Sequence, residues 1–171
     1  MRKGFQTTLL GVSLLAGCAA SARSNTDVVF ADFRLQVPGG QSAVAVQDDE
    51  LFLALRYGPE AGKDYLIFTN RPTVPTHGCP PEEFFSRAME GRETTGGDEC
   101  DTALVDDFRS AFVDPADSGV WEGAGFKAYY LLQESKSMVY LVGSDGEYVK
   151  VDTDHLDAGE LEALVDTASP L

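Results

Sequence analysis

Asp152, Asp154, His155 and Asp157 form the densest group of chemically capable side chains in the sequence. In an extended segment, residues two apart share a side. Asp152 and Asp154 are therefore placed to hold a hard cation such as calcium between them, with His155 close by. The run lacks the glycine and the distal bidentate glutamate of an EF-hand loop, and acids ahead of a helix ordinarily serve its positive N-terminal end. The same two carboxylates are the arrangement here that would support hydrolysis without a histidine. A serine nucleophile needs a base, and the sequence holds two histidines, His77 and His155, neither in a recognisable catalytic motif. The nearest approach to a nucleophile elbow, Gly143-Ser144-Asp145-Gly146, is better explained as a tight hairpin turn. Gly123-Ala124-Gly125 offers G-x-G with no helix after it, so no nucleotide and no other cofactor is expected.

Two candidate binding surfaces follow from composition. His77 lies in a proline-rich loop two residues before Cys79, a stapled loop of the kind that carries recognition. In the stretch from Phe126 to Gln133, alternation that turns Phe126, Ala128, Tyr130 and Leu132 inward leaves Tyr129 and Leu131 as an outward pair. Such a pair needs a cover, either the C-terminal helix or a partner, and aromatics are enriched at interface hot spots.

The elements that must position these residues are legible as alternating and helical periods. A strand pattern runs from Val28 to Val37, Pro38-Gly39-Gly40 supplies a turn, and Ala43 to Val46 follows. Leu51, Leu53 and Leu55 fall on one face of the next strand, and Tyr65 to Phe68, apolar on both faces, belongs in a sheet interior. Pro72, Pro75, Pro80 and Pro81 break the pattern. Phe84, Phe85 and Ala88 then fit a helix opened by Pro81-Glu82-Glu83, and Ala103, Leu104, Phe108, Ala111 and Phe112 fit a second capped by Asp101 or Thr102 and ended by Pro115. A second β block contains Val120-Trp121, Phe126 to Gln133, Met138 to Val142 and Tyr148 to Val151, linked by hairpin-length turns. Leu156, Leu161, Leu164 and Val165 give an amphipathic C-terminal helix with Asp157 and Glu160 spaced as a capping box. The pattern predicts an α+β fold: an antiparallel sheet built from two β blocks and packed by helices on one face.

At the N-terminus, Arg2 and Lys3 precede a short apolar run that ends in Leu15-Ala16-Gly17-Cys18. The run is far below the roughly 20 residues that span a bilayer. Small residues at 16 and 17 admit an extended chain to a peptidase, and Cys18 offers a thiol for acylation. This segment resembles the lipobox signal of bacterial lipoproteins. The resemblance covers residues 1–18 only and implies cleavage before Cys18 with lipid on its sulfur. It also implies anchorage without a membrane span, several acyl chains each contributing about 0.8 kcal/mol per buried methylene. Ala19, where an Asp would favour inner-membrane retention, points to the periplasmic face of the outer membrane.

On that reading residues 1–17 are signal and 18–25 a tether with a reach on the order of 15 Å. Residues 26–171 are a single periplasmic domain. Loss of Arg2 and Lys3 takes the net charge from −15 to −17. Such a field repels nucleic acid and anionic head groups and attracts a basic partner. With Cys18 acylated, Cys79 and Cys100 remain, an even count in an exported chain, and are expected to pair. The expected function is a non-enzymatic, lipid-anchored accessory domain that binds a protein or envelope component. The alternative is an inhibitor or immunity-type protein that neutralises a basic toxin or lytic enzyme.

Overall fold

The segment from Val28 to Val37 folds as two strands, not one. A computed structural model describes residues 24–47, 52–70, 76, 78–91, 100–114 and 116–171. In it β1 (Asn25–Phe30) turns back through Ala31-Asp32 onto β2 (Phe33–Pro38). The turn escapes sequence reading because it contains no glycine or asparagine. Ala31 takes the positive φ itself, at 48°. Along β2, Phe33, Leu35 and Val37 are buried while Arg34 and Gln36 face out. A two-residue strand β10 (Ser169–Pro170) pairs with the other side of β2 and completes a small sheet ordered β1-β2-β10.

The remaining strands make one seven-stranded antiparallel sheet. These are β3 (Ala43–Val46), β4 (Phe52–Arg56), β5 (Tyr65–Asn70), β6 (Ser118–Gly123), β7 (Phe126–Leu131), β8 (Ser137–Gly143) and β9 (Tyr148–Thr153), in the order β3-β4-β5-β9-β8-β7-β6. The two β blocks are thus meanders joined edge to edge, with Leu66 opposite Thr153 and Phe68 opposite Val151. Leu53 and Leu55 lie on the same face of β4 as expected, and Leu51 lies outside the described residues. The predicted turn at residues 143–146 is present: Gly146 has φ 84°, its amide donates to the Gly143 carbonyl at 3.1 Å, and the Glu147 amide donates to Asp145 Oδ1.

The fold is α+β, as the pattern predicts, but the helices are divided between both faces of the large sheet. α1 (Pro81–Glu90) and α2 (Thr102–Phe112) cover the face that carries Tyr129, Leu131, Met138, Tyr140 and Val142. α3 (Ala158–Asp166) and the small sheet cover the opposite face, over Ala128, Val139, Leu141, Val149 and Val151. A single helical layer would not suffice, because β8 is buried at every position from Ser137 to Gly143. The helix ends follow their chemistry. Pro81 occupies the first turn of α1, the Asp101 carboxylate accepts the Ala103 amide at 2.9 Å, and Asp157 with Glu160 forms a complete capping box on α3. Cys79 and Cys100 form a disulfide that ties the start of α1 to the start of α2.

Candidate functional site

The segment from Asp152 to Asp157 is a clasp that joins β9, β5 and α3, and its side chains are engaged within the protein. The Asp152 carboxylate, 8 % exposed, receives Lys136 Nζ at 2.8 Å and Lys150 Nζ at 2.9 Å on one oxygen. Thr153 Oγ1 donates to the Tyr65 carbonyl and accepts the amides of His155 and Leu156. Asp154, just past the end of β9, accepts the amides of Tyr65 at 2.8 Å and Asp64 at 3.3 Å. The His155 ring stacks on Tyr57 with centroids 4.3 Å apart. Among the described residues no group of three potential ligands converges on a metal position. The cation site expected from Asp152 and Asp154 is therefore corrected: one carboxylate is neutralised by two ammonium groups and the other holds a strand end. The sequence places the acids correctly along the chain, but Lys136 and the β5 amides reach them only through tertiary pairing.

Removing the Asp152 charge leaves two ammonium groups facing each other with no counter-ion. Asp152→Asn is expected to destabilise the fold by about 2 kcal/mol, below the usual cost of breaking a fully buried pair because Lys136 remains 41 % exposed. Lys150→Met, which leaves the Lys136 partner in place, should cost less than half of that. Urea midpoints of the two variants measure the difference, and an Asp152→Asn midpoint equal to wild type would refute the clasp.

The same core makes the fold sensitive to alkali. Burial raises the phenol pKa of Tyr140, with the charges of Asp152 and Tyr148 adding to it. Burial also raises Tyr129 and Tyr65, and carboxylate partners raise Lys136 (Asp152) and Lys127 (Glu82). Unfolded tyrosines and lysines release protons near pH 10, while the folded groups hold theirs. The unfolded state then binds fewer protons, and stability falls as pH rises through that range. Chemical denaturation at pH 8, 9, 10 and 11 should show a decline above about pH 10. Tyr140→Phe should make it shallower.

Tyr129 and Leu131 do face away from Ala128 and Tyr130, but they are not a docking surface. Their relative exposures are 0 % and 1 %, and the cover is α1, not the C-terminal helix. The Tyr129 hydroxyl shares a 2.9 Å hydrogen bond with Ser86 and donates to the Glu82 carbonyl. The sequence of α1 carries no local sign of which strand it will cover. His77 and Cys18 lie outside the described residues.

An accessible hollow lies instead where three hairpin tips converge. A groove of about 430 Å³ is lined by the β1–β2 turn (Asp32), the β6–β7 turn (Gly125), the β8–β9 turn (Ser144, Asp145) and the strand β10 with Leu171. A second hollow of about 260 Å³ adjoins it across Gly125, Gly143 and Ser144 and carries Glu82, Glu122 and Lys127, the last paired with Glu82 at 2.8 Å. Carboxylates line the first groove and, among the described residues, no basic side chain does. Ser144 is its one hydroxyl on a turn, and His155 sits on Tyr57 in the clasp. The hollow thus offers carbonyls, amides and acids to a ligand rich in hydrogen-bond donors. The sequence signal for it was the turn chemistry itself, since Gly125 and Gly146 take the positive φ, 87° and 84°, that the β6–β7 and β8–β9 turns require. Comparison with protein-family models finds no match to this chain, and comparison with curated proteins finds none either.

Proposed function

We propose that this chain is a lipid-anchored protein of a bacterial envelope whose folded domain binds another protein or an envelope component and performs no chemistry of its own. The observation that carries the reading is the run Leu15-Ala16-Gly17-Cys18 behind Arg2 and Lys3. The position of β1 supports it: the first strand begins at Asn25, so only six residues, 19 to 24, would separate the acylated cysteine from the domain. The domain then sits against the membrane, on the periplasmic face of the outer membrane given Ala19. The disulfide between Cys79 and Cys100 is in keeping with an oxidising compartment. No helix among the described residues is long and apolar enough to cross a membrane.

The deciding experiment expresses the full chain in a bacterium with labelled palmitate. Label should enter the wild type and partition it to the membrane fraction. Cys18→Ser should lose the label, the membrane partition and the mobility shift of processing. Unchanged fractionation and processing in Cys18→Ser would overturn the reading.

A second reading is favoured by the acid-lined groove and the net charge of −15: an inhibitor that neutralises a cationic toxin or lytic enzyme. Negative charge speeds association with a basic target, and the effect is screened by salt. Binding of a basic lytic enzyme that collapses between low and high ionic strength supports the inhibitor. Binding indifferent to salt supports an apolar interface.

A further inference from the structure

The point where the chain enters the fold and the groove of hairpin tips lie at opposite ends of the small sheet. Asn25 opens β1 opposite Pro38, the last residue of β2, and the Ser24 carbonyl fills the space where a Cβ on Gly39 would stand. The entry point is therefore packed against the end of β2. From there β1 runs to Phe30, and the turn at Ala31-Asp32 delivers Asp32 and Phe33 to the groove wall, beside Gly125 and Ser144 from the tips of the large sheet. At about 3.3 Å per residue, β1 and its turn put roughly 20 Å between the entry point and the groove. The two ends also differ in charge. Ser24, Asn25 and the stretch from Pro38 to Ser42 carry none, whereas the groove carries Asp32 and Asp145.

We infer that the domain stands on the membrane by the end where β1 begins, with the groove turned to the aqueous compartment. The inference rests on the lipid anchor at Cys18 proposed above, and reach decides it. With the groove held against the bilayer, Ser24 would stand roughly 20 Å above the surface. The six residues 19 to 24 span at most about 21 Å when fully extended and about 13 Å as a coil. The inverted pose therefore needs a tether pulled nearly straight. In the upright pose Ser24 lies near the surface, and the same residues reach it without tension. Charge acts in the same direction, because inversion would press Asp32 and Asp145 onto anionic head groups while the upright pose presents an uncharged end. The consequence is which partners can use the groove. Lipid head groups are kept away from it, and a soluble protein approaching from the compartment reaches it directly, the approach that an inhibitor of a basic enzyme requires.

Energy transfer to the membrane surface tests the pose. Cys18 is the one thiol outside the Cys79–Cys100 bond, so the full chain can be coupled through it to maleimide-bearing lipid in vesicles of neutral lipid. A keto-bearing amino acid encoded in place of Asn25 or of Ser144 takes the donor dye, and the acceptor is carried on lipid head groups. Transfer from position 25 should be roughly twice that from position 144, since the two sites differ in height by roughly 20 Å. Inserting about twelve glycine and serine residues after Ala22 lengthens the coil reach to about 23 Å and should bring the ratio down toward one. Equal or reversed transfer on the native tether, or a ratio that the insertion leaves unmoved, would overturn the pose. The coupled lipid replaces the acyl chains, so failure of the anchor reading would show separately, as absence of palmitate at Cys18 in cells with the transfer ratio on coupled vesicles intact.

Discussion

Phe85→Ala is expected to destabilise the protein by about 4 kcal/mol, as for other large-to-small changes of a fully buried aromatic. Phe85 is 0 % exposed and sits at the centre of the layer between α1, α2 and the sheet. Its ring stacks on Tyr129 at 5.3 Å and packs at 4.4 Å on Tyr140, and it meets Phe84, Phe108 and Tyr148 from other directions. Truncation removes the apolar area and leaves a void whose walls belong to two helices and three strands and cannot close together. Phe85→Leu, which fills most of the space, should cost well under half as much. Guanidinium unfolding measures both. A loss below about 1.5 kcal/mol for Phe85→Ala would mean that the helices do not press on the sheet as described.

Replacing both cysteines, Cys79→Ala with Cys100→Ala, is expected to cost about 3 kcal/mol, the chain-entropy value for a loop of this size. The bond spans a sequence separation of 21. Inside it the sequence from Gly91 to Glu99 is rich in glycine, threonine and acids and supplies little apolar anchorage. Urea midpoints measure the loss. Hydrogen exchange should locate it, with amides of α1, α2 and the Tyr129–Leu131 stretch losing protection ahead of β9 and α3, which belong to the other cluster. Uniform loss of protection across both clusters would refute that division. The disulfide and Phe85 stabilise the same layer, so their effects should fall short of additive when combined.

The helix starts, the strand periods and the pairing of Cys79 with Cys100 are all local or compositional properties, and all are readable. Asp157 and Glu160 form a capping box because each satisfies a backbone group within four residues of itself. The Gly143–Gly146 turn follows from its own dihedral needs. The β1–β2 hairpin is a local feature that is not readable, since Ala31 adopts a conformation that its residue type disfavours. The functional candidates divide the same way. Cys18 is read from a contiguous signal, whereas the Asp152–Asp154 pair looks like a cation site until Lys136, from the turn before β8, and the amides of Asp64 and Tyr65 reach it through tertiary pairing.

What the sequence by itself determined is the helices and most of the strands, the β1–β2 hairpin and β10 excepted, with their caps, the disulfide, the acidic charge and the N-terminal segment that carries the proposed function. Each of these depends on residues near one another or on sums over the chain. What only the tertiary structure decided is which surfaces survive as surfaces. Tyr129 and Leu131 disappear under α1, the hairpin tips gather into an acid-lined groove, and β3 is left as an uncharged edge. The reason is that burial is settled by contacts between segments distant in sequence. The β5–β9 junction pairs Leu66 with Thr153, and no local pattern encodes the choice of one strand as the neighbour of another.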